Sequence, residues 1–216
     1  MTGILDTELF PDLCEVVEIP LHSQWVYLVQ KNGNSSLRLD AQRNGYAVLR
    51  NEQIVTLDYV DVYIRNPRAR YVSGINTYLQ HLQRDYPELD YKTAFWFAKK
   101  YKFLNRHYSP QFHWIYNLSR FMKPDARIRL RDFKTFGNIT QINNKAKVIP
   151  PSREFVDQLL ENNPDIEFWW YVDKILLNLS GTDMTWKEIE SYYKTHYQIG
   201  RAHVELQSHL NLVCRL

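Results

Sequence analysis

The sequence predicts a three-layer α/β fold: a parallel sheet flanked by helices, with a helical C-terminal half. Three observations lead there. Short β-branched or aromatic runs recur at Gln24–Gln30, Asp61–Ile64 and Ala126–Phe133, and each is too short for a helix. Longer segments with helical spacing separate or follow them. The first two runs end in polar turns carrying Gly33 and Pro67, the punctuation expected where a strand hands over to a helix.

The first run, Gln24-Trp25-Val26-Tyr27-Leu28-Val29-Gln30, reads as a buried strand. Lys31-Asn32-Gly33-Asn34-Ser35-Ser36 then turns the chain into a helix through Leu37, Leu39 and Ala41, with Asn34 or Ser35 as its N-cap. Gly33 can adopt positive φ and approach a ligand closely. Backbone N–H groups at the helix start, the Ser35 and Ser36 hydroxyls and the Lys31 ammonium have the chemistry of an anion nest. An ordinary polar turn has the same composition. A Walker A loop is excluded, because its lysine follows a second glycine, whereas Lys31 precedes the only glycine here.

Tyr46–Leu57 reads as two short strands around a polar turn, and Asp61-Val62-Tyr63-Ile64 as a further strand ending at Arg65. Pro67 suits the first turn of a helix through Tyr71, Ile75, Tyr78 and Leu82. Ser73 lies eight residues beyond Arg65, so the guanidinium fork and the hydroxyl can take one phosphate from two sides. Solvated arginines and a small packing serine are the alternative reading of that segment.

Asp90–Leu104 has helical spacing with Asp90 as cap, and a helix starts at Pro110 and runs to Met122. Ala126-Arg127-Ile128-Arg129-Leu130-Arg131-Asp132-Phe133 alternates as a strand does. Gly137–Pro151 is a polar loop with two prolines that can gate a cleft. Ser152–Leu160, Pro164–Leu179 and Thr185–Tyr197 complete the helical region, the last opened by a Thr185 to Glu188 capping box. No repeat or low-complexity tract is visible.

Taken in order, these segments resemble the PAPS-dependent sulfotransferases, enzymes that use 3′-phosphoadenosine 5′-phosphosulfate. The strand, Lys-x-Gly-x-Ser-Ser, helix, strand, Arg-x-Pro-x-x-Arg-x-x-Ser order is similar to that family's 5′-phosphosulfate loop and 3′-phosphate motif. Asn105-Arg106-His107-Tyr108-Ser109-Pro110-Gln111-Phe112 resembles the His-aromatic-x-Pro-Gln element of carbohydrate sulfotransferases and their bacterial and viral relatives. The likeness runs from Trp25 to Phe133. It departs in two ways: only 28 residues, Leu37 to Ile64, separate the phosphate motifs, and where some relatives carry a catalytic His or Glu this window offers only Asp40, Glu52, Asp58 and Asp61.

The resemblance implies a P-loop-like sheet, PAPS as sulfate donor, PAP as product and a hydroxyl acceptor, most naturally a carbohydrate. It implies nucleotide binding by Lys31, Asn32, Gly33, Asn34, Ser35, Ser36, Arg65 and Ser73. Sulfuryl transfer, like phosphoryl transfer, is in line and loads charge on the leaving oxygen, so position and electrostatics dominate. Lys31 would neutralise that oxygen. His107 is the first candidate for the base, since a neutral imidazole suits the task near pH 7; Asp58, Glu52 and His81 follow. The alternative is a non-catalytic nucleotide- or glycan-binding module of the same fold, which the short window and the open question of the base favour.

Composition sets the bounds. The chain has 216 residues, 44% hydrophobic and 24% charged, which suits one globular domain. Fifteen Tyr, ten Phe and six Trp serve either a packed core or a sugar-stacking cleft. A formal net charge of +3 with interleaved acids calls for no nucleic-acid partner. No apolar stretch spans a bilayer, and the acidic first twenty residues lack a signal-peptide pattern, so a cytoplasmic protein without membrane attachment is expected. No metal site is expected: His107 and His113 are six apart and Cys14 is isolated.

The last segment, Ile199 to Leu216, resembles a translated sequencing adapter, so the natural domain is expected to be 1–198 and 199–216 a non-native tail of environmental or assembled origin. Setting it aside removes Arg201, Arg215 and Glu205 and lowers the charge by one, to +2. Cys14 is then the sole thiol, which fits a reducing compartment.

Overall fold

In the computed structural model of the chain, the residues described are 14–29, 32–74, 84, 87, 88, 110–135 and 165–196. Lys31, His81 and His107 lie outside them, as do the expected helices at Asp90–Leu104 and Ser152–Leu160, the Gly137–Pro151 loop and the 199–216 tail.

The described elements are β1 (Glu15–Ile19), β2 (Gln24–Tyr27), α1 (Asn34–Asn44), β3 (Val48–Arg50), β4 (Tyr59–Ile64), helical residues 67–74 (α2), α3 (Gln111–Ser119), β5 (Arg127–Asp132), α4 (Asp165–Asn178), β6 (Asp183–Thr185) and helical residues 186–196 (α5). Six strands form one sheet in the order β3-β1-β2-β4-β5-β6. Helices cover both faces.

The expected parallel sheet is in fact mixed. β2, β4 and β5 are parallel neighbours, whereas β1 pairs antiparallel with both β2 and β3, and β6 pairs antiparallel with β5. The connection explains the first reversal: β1 and β2 are joined only by a 3-10 turn, Pro20–His22, with Ser23 in the left-handed region at φ 47°, and so tight a link permits only antiparallel pairing. β1, a strand not expected from the sequence, therefore extends the sheet on the far side of β2. β6, also unassigned, adds a strand to the C-terminal half expected to be helical.

Strand alternation sorts the side chains. Val60, Val62 and Ile64 of β4 and Ile128 and Leu130 of β5 face a core built from Phe112, Ile115 and Leu118 of α3, Val172 and Leu176 of α4, and Ile189 and Tyr193 of α5. Phe112 stacks on Tyr193 with ring centroids 4.0 Å apart. The other face carries Val26 and Tyr63 against Leu37 and Ala41 of α1. Arg129 and Arg131 share that second face and hold the fully buried Asp61 of β4 at 2.5 and 3.3 Å.

Only one of the two strands expected in Tyr46–Leu57 forms. After β3, Asn51 takes φ 42° and closes on Cys14, whose N–H donates to Asn51 Oδ1 at 2.9 Å. Residues Asn51–Thr56 then wind as a 3-10 helix that buries Ile54. The Thr185 capping box forms as expected: Thr185 N–H donates to Glu188 Oε2 at 2.7 Å and Glu188 N–H to Thr185 Oγ1 at 3.3 Å.

Two features of this topology position the site. From β2 the chain crosses through α1, on one face, to β3 at one edge. It then returns beneath the opposite face, where Ile54 and Leu57 join the main core, to β4 on the other side of β2. The winding direction therefore reverses between β2 and β4. Crevices at the carboxyl ends of strands at such a switch point are where open α/β sheets bind ligands.

Candidate functional site

The loop after β2 reaches that crevice first. Asn32 N–H donates to Val29 O at 3.2 Å, closing a turn, and Gly33 follows in the left-handed region at φ 81°, ψ 8°. Gly33, not the expected Asn34 or Ser35, is the N-cap of α1. Having no side chain, it offers the helix no capping group. The first amide of the ladder is Leu37 N–H, bonded to Gly33 O at 3.1 Å. The N–H groups of Asn34, Ser35 and Ser36 thus form the uncapped first turn, where the helix dipole favours an anion. Ser35 is exposed and Ser36 half-buried.

The loop after β4 arrives beside it. Asn66 Oδ1 accepts Ala69 N–H at 3.1 Å, and Pro67 follows at the first helical position, so α2 starts two residues beyond Arg65. Arg65 is half-buried, with its guanidinium 5.6 Å from the centroid of the Phe133 ring just past β5. Burial lowers its pKa. Ser73 lies half-buried on α2. Arg70, read from sequence as a solvated charge or part of the phosphate motif, is instead 2% exposed. Its pKa falls to about 10, chiefly through burial; the Asp173 carboxylate acts against the shift and the Arg65 cation adds to it. The Arg65 and Arg70 guanidiniums therefore sit within electrostatic range of each other, with Asp173 acting on Arg70 in the opposite sense.

A single side chain ties the two loops together. Gln111, the first residue of α3, is fully buried. Its Oε1 accepts Asn32 Nδ2 at 2.7 Å and Arg65 N–H at 2.8 Å, while its Nε2 donates to Arg65 O at 2.7 Å and to Asp173 Oδ2 at 3.3 Å. Asn32 Nδ2 also donates to Tyr63 O at 2.6 Å, which anchors the first loop to the end of β4. Asp173 Oδ1 accepts Phe112 N–H at 3.3 Å. Burial pushes the Asp173 carboxyl up to about 6, against the opposing effects of Arg70 and these hydrogen bonds. Three sequence segments, each singled out separately, meet at one buried amide.

Other titratable groups fall elsewhere. Asp58 is exposed at the amino end of β4, the end away from Arg65, and is paired with Lys123 at 2.8 Å. Asp61 is consumed by Arg129 and Arg131. Glu52 is exposed beyond edge strand β3. His113 is buried, which lowers its pKa to about 4, and Cys14, also buried, is raised to about 11. Asp132 stands at the carboxyl end of β5, in register with Ile64. Among the described residues no group of three His, Cys, Asp or Glu side chains could hold a metal ion.

Of the predicted site residues, Asn32 and Arg65 are thus joined through Gln111, with Gly33, Asn34, Ser35 and Ser36 following directly on Asn32. Asn32 differs from expectation in one respect: at 5% exposure it is buried, its Nδ2 spent on Tyr63 O and Gln111 and its Oδ1 enclosed without a hydrogen-bond partner. Sequence reasoning gave Gln111 no role of its own and missed Asp173. The available signal for Asp173 was a lone acid among Tyr171, Val172, Ile175 and Leu176 on an otherwise apolar helix face.

Comparison with protein-family models, with curated proteins and with solved structures gives no match. Among the described residues no helix is long and apolar enough to cross a membrane.

Proposed function

We propose that the chain is a sulfotransferase that takes PAPS in the crevice at the carboxyl ends of β2 and β4 and passes its sulfuryl group to a hydroxyl, with a carbohydrate as the acceptor class. The reading is supported most by one observation: Gln111 holds the Gly33 loop and the Arg65 loop side by side at the point where the winding reverses. Two anion-attracting elements of different kinds then flank one crevice, an uncapped helix start and the half-buried Arg65, with the buried Arg70 cation behind it. A nucleotide with anionic groups at both ends matches that arrangement.

In this reading the amides of Asn34, Ser35 and Ser36 hold the 5′ group in line, and Lys31 neutralises the leaving oxygen. Arg65, with Ser73 on the following helix, takes the 3′-phosphate. His107 accepts the acceptor's proton, and Asp132, at the carboxyl end of β5, is the second candidate. The finer fold assignment, a P-loop-like sheet, belongs to the same proposal and rests on the central β2-β4-β5 strands with α1 following the first loop.

Titration with PAP followed by transfer of labelled sulfate from PAPS to a panel of glycans tests the reading. Binding with transfer is expected. Binding without transfer to any hydroxyl supports the non-catalytic module, and absence of PAP binding removes the nucleotide assignment.

A further inference from the structure

Resting on that reading, we infer that Gln111 is a positioning residue that sets the span between the two anion-binding loops and so selects nucleotides charged at both ends. All of its hydrogen-bonding capacity is directed at this task. Its amide pairs with both backbone groups of Arg65, fixing the residue at which the second loop leaves β4. The same Oε1 reaches Asn32, one residue before Gly33. The fourth bond, to Asp173, sets the orientation of the amide, because only Nε2 can donate to a carboxylate. Gln111 is fully buried and Asn32 nearly so, which leaves neither side chain available to a ligand. Their effect on binding is exerted through geometry.

The physical consequence concerns ligands that engage both loops. Once one end is bound, the second end meets its loop at an effective concentration set by how firmly the span is held. A rigid span of the right length favours a bisphosphate far more than the sum of its halves, whereas a ligand charged at one end gains nothing from it. Selectivity for two-ended over one-ended nucleotides is therefore the quantity that Gln111 controls.

The test compares three probes, PAP, adenosine 5′-phosphate and adenosine 3′-phosphate, by calorimetry on the whole chain and on two variants. Gln111→Leu removes all four bonds. Asn32→Ala cuts the two bonds that tie the first loop to Gln111 and to Tyr63 O and leaves the clamp on Arg65, so it carries the test if thermal unfolding shows that the leucine variant does not fold. In either variant PAP affinity is expected to fall by about tenfold or more, while each one-ended nucleotide changes by less than about threefold. Equal proportional losses for all three probes, or unchanged PAP affinity in a folded variant, overturn the inference and leave the functional reading standing. A parent chain that binds no PAP overturns both.

Discussion

Gln111 pairs with Arg65 as a neighbouring strand would, accepting its N–H at 2.8 Å and donating to its C=O at 2.7 Å, across 46 residues of sequence. The pairing begins where β4 stops. It gives the backbone polar groups of the first residue after the strand the partners they would otherwise lose on entering a partly buried loop. Arg65 thereby leaves the sheet at a fixed point.

Arg65→Ala is expected to weaken PAP binding, since in the proposed reading its guanidinium takes the 3′-phosphate and charge-assisted bonds are worth about 1.5–3 kcal/mol each. Calorimetric titration should give a loss of roughly ten- to a hundredfold in affinity. The same affinity in variant and parent would remove Arg65 from the site.

Lys31→Ala should behave differently. A cation that acts on the leaving oxygen is needed most as charge develops, so turnover is expected to drop strongly, by about a hundredfold or more, with PAP affinity largely kept. Steady-state sulfate transfer alongside the binding measurement separates the two effects, and equal turnover in variant and parent contradicts the role.

Asp173 is expected to make anion binding depend on pH. Its carboxyl is raised to about 6, so it is mainly neutral at pH 5 and mainly ionised at pH 7.5. Inorganic sulfate, which does not titrate in that range, should bind more tightly at pH 5, where the neutral Asp173 carboxyl no longer adds negative charge beside Arg70. Asp173→Asn should flatten that difference and give the tighter binding at both pH values. The stability linkage has the same origin: the folded state holds this proton more firmly than the unfolded chain, so the group's contribution grows as pH falls from 6 toward 4. Urea unfolding of parent and variant across that window checks the sign.

Asp61→Ala is expected to destabilise the fold. The variant leaves Arg129 and Arg131 without their shared carboxylate in the middle of the sheet. Both arginines keep some exposure, 23% and 34%, and so can hydrate, which puts the loss near 1–3 kcal/mol, below the range for a fully buried pair. Urea unfolding gives the value directly, and a change under a few tenths of a kcal/mol would refute the assignment.

Elements with strong local signals could be read directly from the residues. β2, β4 and β5 were legible from β-branched and alternating runs, α1 from its turn and spacing, and α5 from the reciprocal bonds of Thr185 and Glu188, because these patterns arise within a few residues. The loops that carry the candidate site were legible for the same reason: Gly33, Pro67 and the residues around them are local devices. Non-local features came from packing. β1, with its short EVVEI run, and the three-residue β6 are strands because sheet edges were there to pair with, and the antiparallel outer pairs follow from connections whose path periodicity does not encode. Likewise Gln111 and Asp173 are ordinary polar residues until α3 and α4 pack against the ends of β2 and β4. Burial then obliges each polar atom to find a partner, and the available partners are the backbone and side chains of the two loops.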